Sequence, residues 1–230
     1  MKKNYEMDMC SGPILGKLLT FTIPLIFSGI LQLLFNAADV IVVGRFAGSQ
    51  SLAAVGSTTA LINLMINIFI GLSVGVNVIV ARYYGAKREK DVQDTIHTAM
   101  ALSIVSGLFL IIMGQLLSRP MLELMGTPDD VIDKSTIYMR IIFIGMPANM
   151  IYNFGSAILR AVGDTKRPLY FLTAAGVINV VLNLFFVIMF QMDVAGVALA
   201  TAISQAISAC LVILCLMESE GGLKLHLKDL

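Results

Sequence analysis

One carboxylate follows an apolar, charge-free stretch near the start of the chain. Residues 18 to 38 contain no Asp, Glu, Lys or Arg, and Asp39 comes directly after them. Ser28, Gln32 and Asn36 precede Asp39 at spacings of four, four and three residues, which places all four side chains on one helix face. An acid in hydrocarbon costs about 2.5–3.5 kcal/mol and is retained mainly where a function uses it. The stripe indicates a site for a cation or a proton.

Two later apolar segments carry polar side chains at helical spacing. Asn179 and Asn183 lie four residues apart, as do Thr201 and Gln205. If these segments cross a bilayer, the helical rise places Asp39 about 8 Å, Thr201 about 12 Å and Asn183 about 15 Å below the outer boundary. Their oxygens suit a monovalent cation such as Na⁺, or a proton held on Asp39. Two alternatives stay open: Asp39 caps a helix end near the headgroups, or the amides and the hydroxyl only bridge helices.

A proline and several further polar residues complete the candidate site. Pro24 lies inside the first apolar run, where it removes one backbone hydrogen bond and favours a bend. We therefore assign Pro24 to helix bending during gating. Four polar residues are expected to line a cavity inside the bundle: Gln32, Asn36, Asn153 and Gln205.

The composition defines the elements that position these residues. The chain has 230 residues and is 57% hydrophobic and 13% charged, whereas soluble domains are roughly 45–50% apolar and about 25% charged. Six charge-free stretches are each long enough to cross a hydrocarbon core. We predict an all-α integral membrane protein, a single six-helix bundle over residues 1–230, with helices at about 14–44, 51–81, 95–118, 135–159, 168–190 and 195–217. In the second helix, Gly71-x-x-x-Gly75 is typical of close helix packing.

The distribution of basic residues predicts the orientation. Of the 16 lysines and arginines, twelve fall in the segments on the side of the two termini and four in the loops on the other side. The positive-inside bias therefore predicts a multi-pass protein of the cytoplasmic (inner) membrane with both termini in the cytoplasm. The formal net charge is +1, and no basic run is interleaved with aromatic residues, so nucleic acid is not expected as a partner.

The sequence gives little support for an enzymatic site or a metal-binding site. The two histidines, His97 and His226, lie at the margins of the apolar segments, which argues against intramembrane serine proteolysis. A single intramembrane aspartate does not make a Mg²⁺ site, and no Gly-rich phosphate loop is present. The three cysteines form no metal-ligand pattern. We expect no enzyme and no cofactor, with energy supplied by an ion gradient or by another subunit.

Three long motifs follow one another along the chain. They read P-L-I-F-S-G-I-L-Q-L-L-F-N-A-A-D-V-I-V-V-G-R-F-A-G around Asp39, A-I-L-R-A-V-G-D-T-K-R-P over 157–168 and V-A-G-V-A-L-A-T-A-I-S-Q over 194–205. In this order they resemble the N-terminal half of multidrug and toxic compound extrusion (MATE) transporters, from about Gly12 to Met217. The resemblance implies an antiporter that expels cationic or amphipathic compounds while Na⁺ or H⁺ enters. It also implies two six-helix lobes that alternate between inward-open and outward-open states.

The resemblance also implies roles for single residues. Asp39 matches the helix-one acid that binds the coupling ion, and Pro24 matches a proline linked to bending of that helix. Asn179 and Thr201 match residues of the same ion site. Asn183 departs from the pattern, because many members have Asp there. Its neutral amide leaves Asp39 as the only intramembrane acid of this lobe and favours protonation or a weaker cation site.

Family members carry a second lobe, which this chain lacks. We expect a fragment of a longer transporter, completed by a missing C-terminal half or by a second copy of the chain, in contact with membrane lipid. Two other functions stay open: a flippase for lipid-linked sugars, which is expected to line its cavity with basic residues, and a non-transporting scaffold or regulatory half-protein.

Overall fold

The computed structural model describes residues 14–219 and 221–226, which form helices joined by short turns. The helices are α1 (Ile14–Val42, extended by a π-helical segment, Val43–Ala47), α2 (Ser49–Gly85), α3 (Glu89–Leu124), α4 (Asp129–Ile144), α5 (Met146–Ala161), α6 (Lys166–Leu184, extended by a π-helical segment, Phe185–Met189) and α7 (Asp193–Met217). A short 3₁₀ helix, Gly221–Leu223, follows α7. The predicted all-α fold is confirmed.

Five of these helices are long and apolar enough to cross a membrane, and the bent pair of α4 and α5 makes a sixth span. The sequence predicts one helix over 135–159, where the structure has two that meet at an angle of 48°. The break follows from local chemistry: Pro147, at the start of α5, has no N–H for the helical ladder. Gly145 lies at the bend, and a Cβ built there would come within 3.1 Å of Ala202 in α7. The sixth span is therefore bent where it contacts α7.

The turns define two ends of the bundle, named by the orientation that the charges predict. We call "outer end" the side with Gly48 and the turns at 125–128 and 190–192. We call "inner end" the side with the turns at 86–88 and 162–165 and the segments 218–219 and 221–226. The helix α3, predicted at 95–118, runs past its charge-free stretch at both ends, from Glu89 to Leu124. Hydrogen bonding continues a helix into the interface, so charge-free length underestimates helix length.

The centre of the bundle is α5, which packs against α2, α3 and α7. Phe154, Ile158 and Leu159 are fully buried there. Close contact depends on a glycine of α5: a Cβ on Gly155 would lie 2.1 Å from Val212 of α7. The predicted close packing at Gly71 and Gly75 is wrong for this bundle, since no other described residue lies within 4 Å of either Cβ position. Spacing alone does not tell which helix face meets a partner.

An ion pair joins three helices at the outer end. Lys134 Nζ of α4 lies 2.7 Å from an Asp193 oxygen at the start of α7. Lys134 also donates to Ser51 Oγ of α2 at 3.1 Å, and Ser51 donates to Asp193. Because the two charged side chains are about one third exposed, this pair contributes at most about 1 kcal/mol. Its main effect is to align the ends of α2, α4 and α7.

Candidate functional site

The site begins with the contact between α1 and α6. The ring of Phe35 packs over Gly176, where a Cβ would lie 1.9 Å from the ring. Asp39 lies one turn further along α1, while Asn179 and Asn183 lie about one and two turns further along α6 on the same face as Gly176. The absence of a side chain at Gly176 thus lets the two polar faces meet.

A continuous set of hydrogen bonds joins α1, α6 and α7. Asn183 Nδ2 donates to Asp39 Oδ1 and also to Asn179 Oδ1, the latter at 3.2 Å. Asn179 Nδ2 donates to Thr201 Oγ1 at 3.2 Å, and Thr201 donates to the carbonyl of Val197 at 3.0 Å. We call Asp39, Asn183, Asn179 and Thr201 the acid network. The four residues assigned from the sequence to one site therefore do come together.

Burial differs along the acid network. Asn183 is fully buried and Asn179 is 5% exposed, while Asp39 and Thr201 are partly exposed. Among the described residues, Asn183 Oδ1 has no hydrogen-bond partner although it is buried. A buried carbonyl without a partner is costly, so this oxygen is a ready acceptor for a proton donor or a ligand for a cation. Asp39 bonds to another helix and not to the backbone at the end of α1, which disfavours the helix-cap alternative.

Sequence reasoning missed one residue beside the acid. Tyr138 of α4 is buried, and its phenol interacts electrostatically with Asp39. A single tyrosine in an apolar helix carries no spacing signal, because such residues are ordinary core residues. Only the packing of α4 shows that the phenol lies near the carboxylate.

The predicted cavity-lining residues lie outside the acid network. Gln32 and Asn36 are exposed on α1. Asn153 donates to the backbone oxygen of Asn149 at 2.8 Å and to its side-chain oxygen at 2.9 Å. Gln205 lies at the α4–α5 bend, and its Oε1 is buried without a partner in the described part of the chain. The four residues thus lie in three places: Gln32 and Asn36 on the exposed face of α1, Asn153 on α5, and Gln205 beside the bend between α4 and α5.

Pro24 is buried in α1, which continues through it as one helix from Ile14 to Val42. Ser28 Oγ donates to the Pro24 carbonyl at 2.8 Å. The sequence places a bend here, and this structure has the helix unbroken at that position. Pro24 still removes one backbone hydrogen bond, so α1 is weaker at this turn than elsewhere.

Oxygens of the acid network are the available cation ligands. In the ranges 14–219 and 221–226, no three His, Cys, Asp or Glu side chains lie close enough to hold a metal ion. Asp39 and Asn179 offer oxygens, but in this structure both accept N–H bonds from Asn183. A turn of the Asn183 amide would release both of these oxygens and add its own Oδ1 as a third ligand for Na⁺.

Comparison with known proteins gives the family. The family model MatE matches residues 24–185, a segment that includes Pro24, Asp39, Asn179 and Asn183. The chain belongs to the MatE family. The probable multidrug resistance protein YoeA of Bacillus subtilis (strain 168) is 35% identical over 188 residues, 80% of this chain and 41% of its own length. YpnP of the same organism, also a probable multidrug resistance protein, is 31% identical over 201 residues, 87% of this chain and 45% of its own.

Solved MATE structures have the same fold over nearly all of this MatE chain. A MATE crystal structure in the bent conformation matches with a TM-score of 0.86 and 26% identity, over 93% of this chain and 48% of the other. An inward-facing multidrug resistance MATE transporter matches with a TM-score of 0.80 and 25% identity, over 91% and 48%. The chain thus spans about half the length of the relatives it matches. It is a multi-pass membrane protein of a transporter family, not of an enzyme family.

Proposed function

We propose that this chain forms one lobe of an ion-coupled antiporter that exports cationic or amphipathic compounds across the cytoplasmic membrane, with both termini in the cytoplasm. The observation that supports it best is the acid network, in which two successive amides of α6, Asn183 and Asn179, link the carboxylate of Asp39 to Thr201 of α7. The second lobe comes from a C-terminal half or from a second copy, since the matched relatives are about twice as long.

The Asn183 amide is the element that senses the ion. Asp39 accepts the N–H of Asn183, a bond that ionisation of the carboxyl strengthens. A proton on Asp39 makes the carboxyl a donor, which needs an acceptor, and the unpartnered Oδ1 of Asn183 is the nearest one along this network. Turning the amide withdraws its N–H from Asn179 and so changes the link between α6 and α7. Binding of one proton to Asp39 in α1 thereby changes the hydrogen bonds of α6 and α7.

The same rotation presents oxygens of Asp39, Asn183 and Asn179 to Na⁺. With one formal negative charge where many relatives have two, however, this site holds a cation less tightly. We therefore propose H⁺ as the coupling ion, with Na⁺ as the alternative that the experiment below separates.

The position of α1 connects the ion to the transported compound. This helix packs mainly on α6 and is otherwise largely exposed. Loss or reversal of the Asp39–Asn183 bond loosens α1, and the turn weakened by Pro24 is where it bends. Gln32 and Asn36 are exposed on the same helix and would then line the space between the lobes. Protonation of Asp39 in this way bends α1 near Pro24 and narrows the substrate space of the lobe.

The test is efflux of a fluorescent cationic dye from pump-deficient bacteria. The chain is expressed alone and also in place of the matching half of YoeA, each as wild type, Asp39→Asn and the control Asp133→Asn, an exposed outer-end acid. We expect export in at least one format, lost in Asp39→Asn and kept in the control at equal membrane levels. In vesicles, export driven by a pH gradient and unchanged by Na⁺ identifies H⁺.

Two results would refute the proposal. Export by Asp39→Asn with unchanged ion dependence would show that Asp39 takes no part in ion coupling. Absence of ion-dependent export in both formats, with all variants folded in the membrane, favours the scaffold interpretation.

A further inference from the structure

The chain beyond α7 folds back onto the inner end of α3. We call residues 221–226 the inner segment. A Cβ on Gly222 would lie 2.6 Å from the carbonyl oxygen of Glu89 at the start of α3. Leu223 and Leu225 are buried, and the N–H of Leu225 donates to a carbonyl in the last turn of α7 at 3.1 Å. The inner segment therefore packs on α3 and is fastened to α7.

The last described residue of the inner segment is bonded to a histidine of α3. The backbone N–H of His226 donates to His97 Nε2 at 3.0 Å. His97 Nδ1 lies 2.8 Å from the carbonyl oxygen of Gln93, one turn earlier on α3. The two imidazole rings stack in parallel, with centroids 6.1 Å apart and an angle of 4° between their planes. Both histidines of the chain thus meet at this contact.

The two hydrogen-bond partners of His97 define its protonation state. A carbonyl oxygen only accepts, so Nδ1 must carry a hydrogen, and a backbone N–H only donates, so Nε2 must present its lone pair. His97 is therefore neutral in this arrangement. A second proton would bind to Nε2, the atom that accepts from His226. Because the docked state excludes this proton and the released state accepts it, a fall in pH favours release of the inner segment.

The His97 ring is open to water. A depression of about 450 Å³ borders the ring and is also lined by Gln93, Asp94 and Thr98. His226 is exposed, so its ring takes up a proton in the same pH range. Two positive rings at this centroid distance of 6.1 Å repel each other. The repulsion acts in the same direction as the loss of the hydrogen bond.

Charged side chains of the neighbouring elements influence the pH of release but not its direction. At this end they are Glu89 and Asp94 of α3, Arg82 of α2, Arg160 of α5, Glu218 after α7 and Lys224 of the inner segment. Arg88, in the turn before α3, is paired with Asp91 at 2.7 Å. The direction depends on the geometry at His97 Nε2, because a protonated imidazole nitrogen cannot accept a hydrogen bond.

We propose that His97 is a proton-sensitive latch: its neutral ring holds the inner segment on α3, and its protonation releases that segment. Histidine is the side chain that ordinarily changes charge between about pH 5 and pH 8, and protonation of histidines reverses interfaces in pH sensors. After release, the inner segment no longer joins α3 to the end of α7. In the orientation proposed above the inner end faces the cytoplasm, so the latch responds to cytoplasmic pH. That choice of side rests on the proposed function, whereas the latch itself does not.

NMR of the imidazole nitrogens tests the protonation state in the wild-type protein. The full chain is labelled with ¹⁵N-histidine, purified with a tag that contains no histidine, and recorded in detergent at about pH 8 and about pH 5, the limits of the usual histidine range. The chain has two histidines, and His226→Gln assigns their signals. We expect the His97 hydrogen on Nδ1 at the higher pH and hydrogens on both nitrogens at the lower pH. A hydrogen on Nε2 of His97 at the higher pH would contradict the proposal.

Hydrogen exchange measures release of the inner segment. Amide exchange of peptides that cover 221–226 is followed by mass spectrometry at both pH values and corrected for the intrinsic exchange rate. In the wild type, protection should fall about tenfold at the lower pH, the effect of one lost hydrogen bond. His97→Gln supplies an amide oxygen that accepts without titrating, so its protection should differ less than about twofold between the two pH values. The matched control His226→Gln keeps the backbone N–H and removes only the stacked ring, so its protection should still fall at the lower pH.

Equal protection of the wild-type segment at both pH values would overturn the proposal. A pH response that His97→Gln keeps and His226→Gln loses would also overturn it, because the sensor would then be His226. The wild-type measurements need no variant at His97, so they decide the proposal even if His97→Gln does not fold. Transport is not measured, and Asp39→Asn should respond to pH like the wild type. Failure of the latch is therefore distinguishable from failure of the proposed function.

Discussion

The bond between Asp39 and Asn183 should strengthen when the carboxyl ionises, and a double-mutant cycle measures this directly. We consider Asp39→Ala, Asn183→Ala and the double variant. A hydrogen bond to a charged group contributes about 1.5–3 kcal/mol, whereas polar bonds between membrane helices average about 0.6 kcal/mol. The coupling energy between the two residues should therefore be about 1.5–3 kcal/mol at alkaline pH and fall to about 0.6 kcal/mol at acidic pH.

The direction of this pH dependence follows from the acceptor, the carboxyl group of Asp39. Asn183 donates to Asp39, and an ionised carboxylate is a stronger acceptor than a protonated carboxyl, so stability contributed by this bond is present at high pH and lost as Asp39 takes up a proton. The assay is reversible unfolding of the purified chain in mixed detergent and SDS, followed by circular dichroism at both pH values.

The matched control is the neutral pair Asn149 and Asn153, whose side chains bond to each other on α5. Its coupling energy should not change with pH. If the Asp39–Asn183 coupling is equally insensitive, or changes no more than the control, the acid network does not respond to a proton and the mechanism proposed above is wrong.

Two further variants test the site. Asn183→Asp places a second carboxylate beside Asp39, and two negative charges hold a cation more tightly than one. Transport by the YoeA chimera should therefore become Na⁺-dependent, and ²²Na⁺ binding to the variant checks this. The control Asn153→Asp, outside the acid network, should not have this effect. Gly176→Ala places a Cβ 1.9 Å from the Phe35 ring, so it should push α1 from α6, destabilise the protein by about 1–3 kcal/mol and reduce dye export. The control Gly71→Ala, with no neighbour within 4 Å, should leave the melting temperature within a few degrees. Na⁺-independent transport by Asn183→Asp, or a wild-type melting temperature and export in Gly176→Ala, would contradict these expectations.

The gross fold and most of the acid network follow from local patterns. Charge-free lengths predict membrane spans because hydrocarbon thickness sets the length of helix that must be apolar. Spacing predicts that Asn179 and Asn183 share a face because the helical period is constant. An isolated acid draws attention to Asp39 because its burial is costly. Each of these signals needs only the neighbouring residues along the chain.

Contacts between helices were not predictable in the same way. Spacing defines a helix face but does not say what lies opposite that face. It predicts close packing at Gly71 and Gly75, where no described residue lies near, and gives no signal at Gly176, where the Phe35 ring of α1 packs. The bend at Gly145 was hidden inside one apolar run. Tyr138 likewise gives no signal until the neighbouring helices are in place.

The sequence by itself therefore determined that the chain is a membrane-spanning helical bundle with one acid in its first helix. These properties depend on hydrophobicity and helical period, which are local. The tertiary structure alone decided that Asn183 turns its N–H to Asp39 and that its buried Oδ1 has no hydrogen-bond partner among the described residues. Which donor meets which acceptor depends on close packing between residues far apart in the chain, and that packing is a property of the whole bundle.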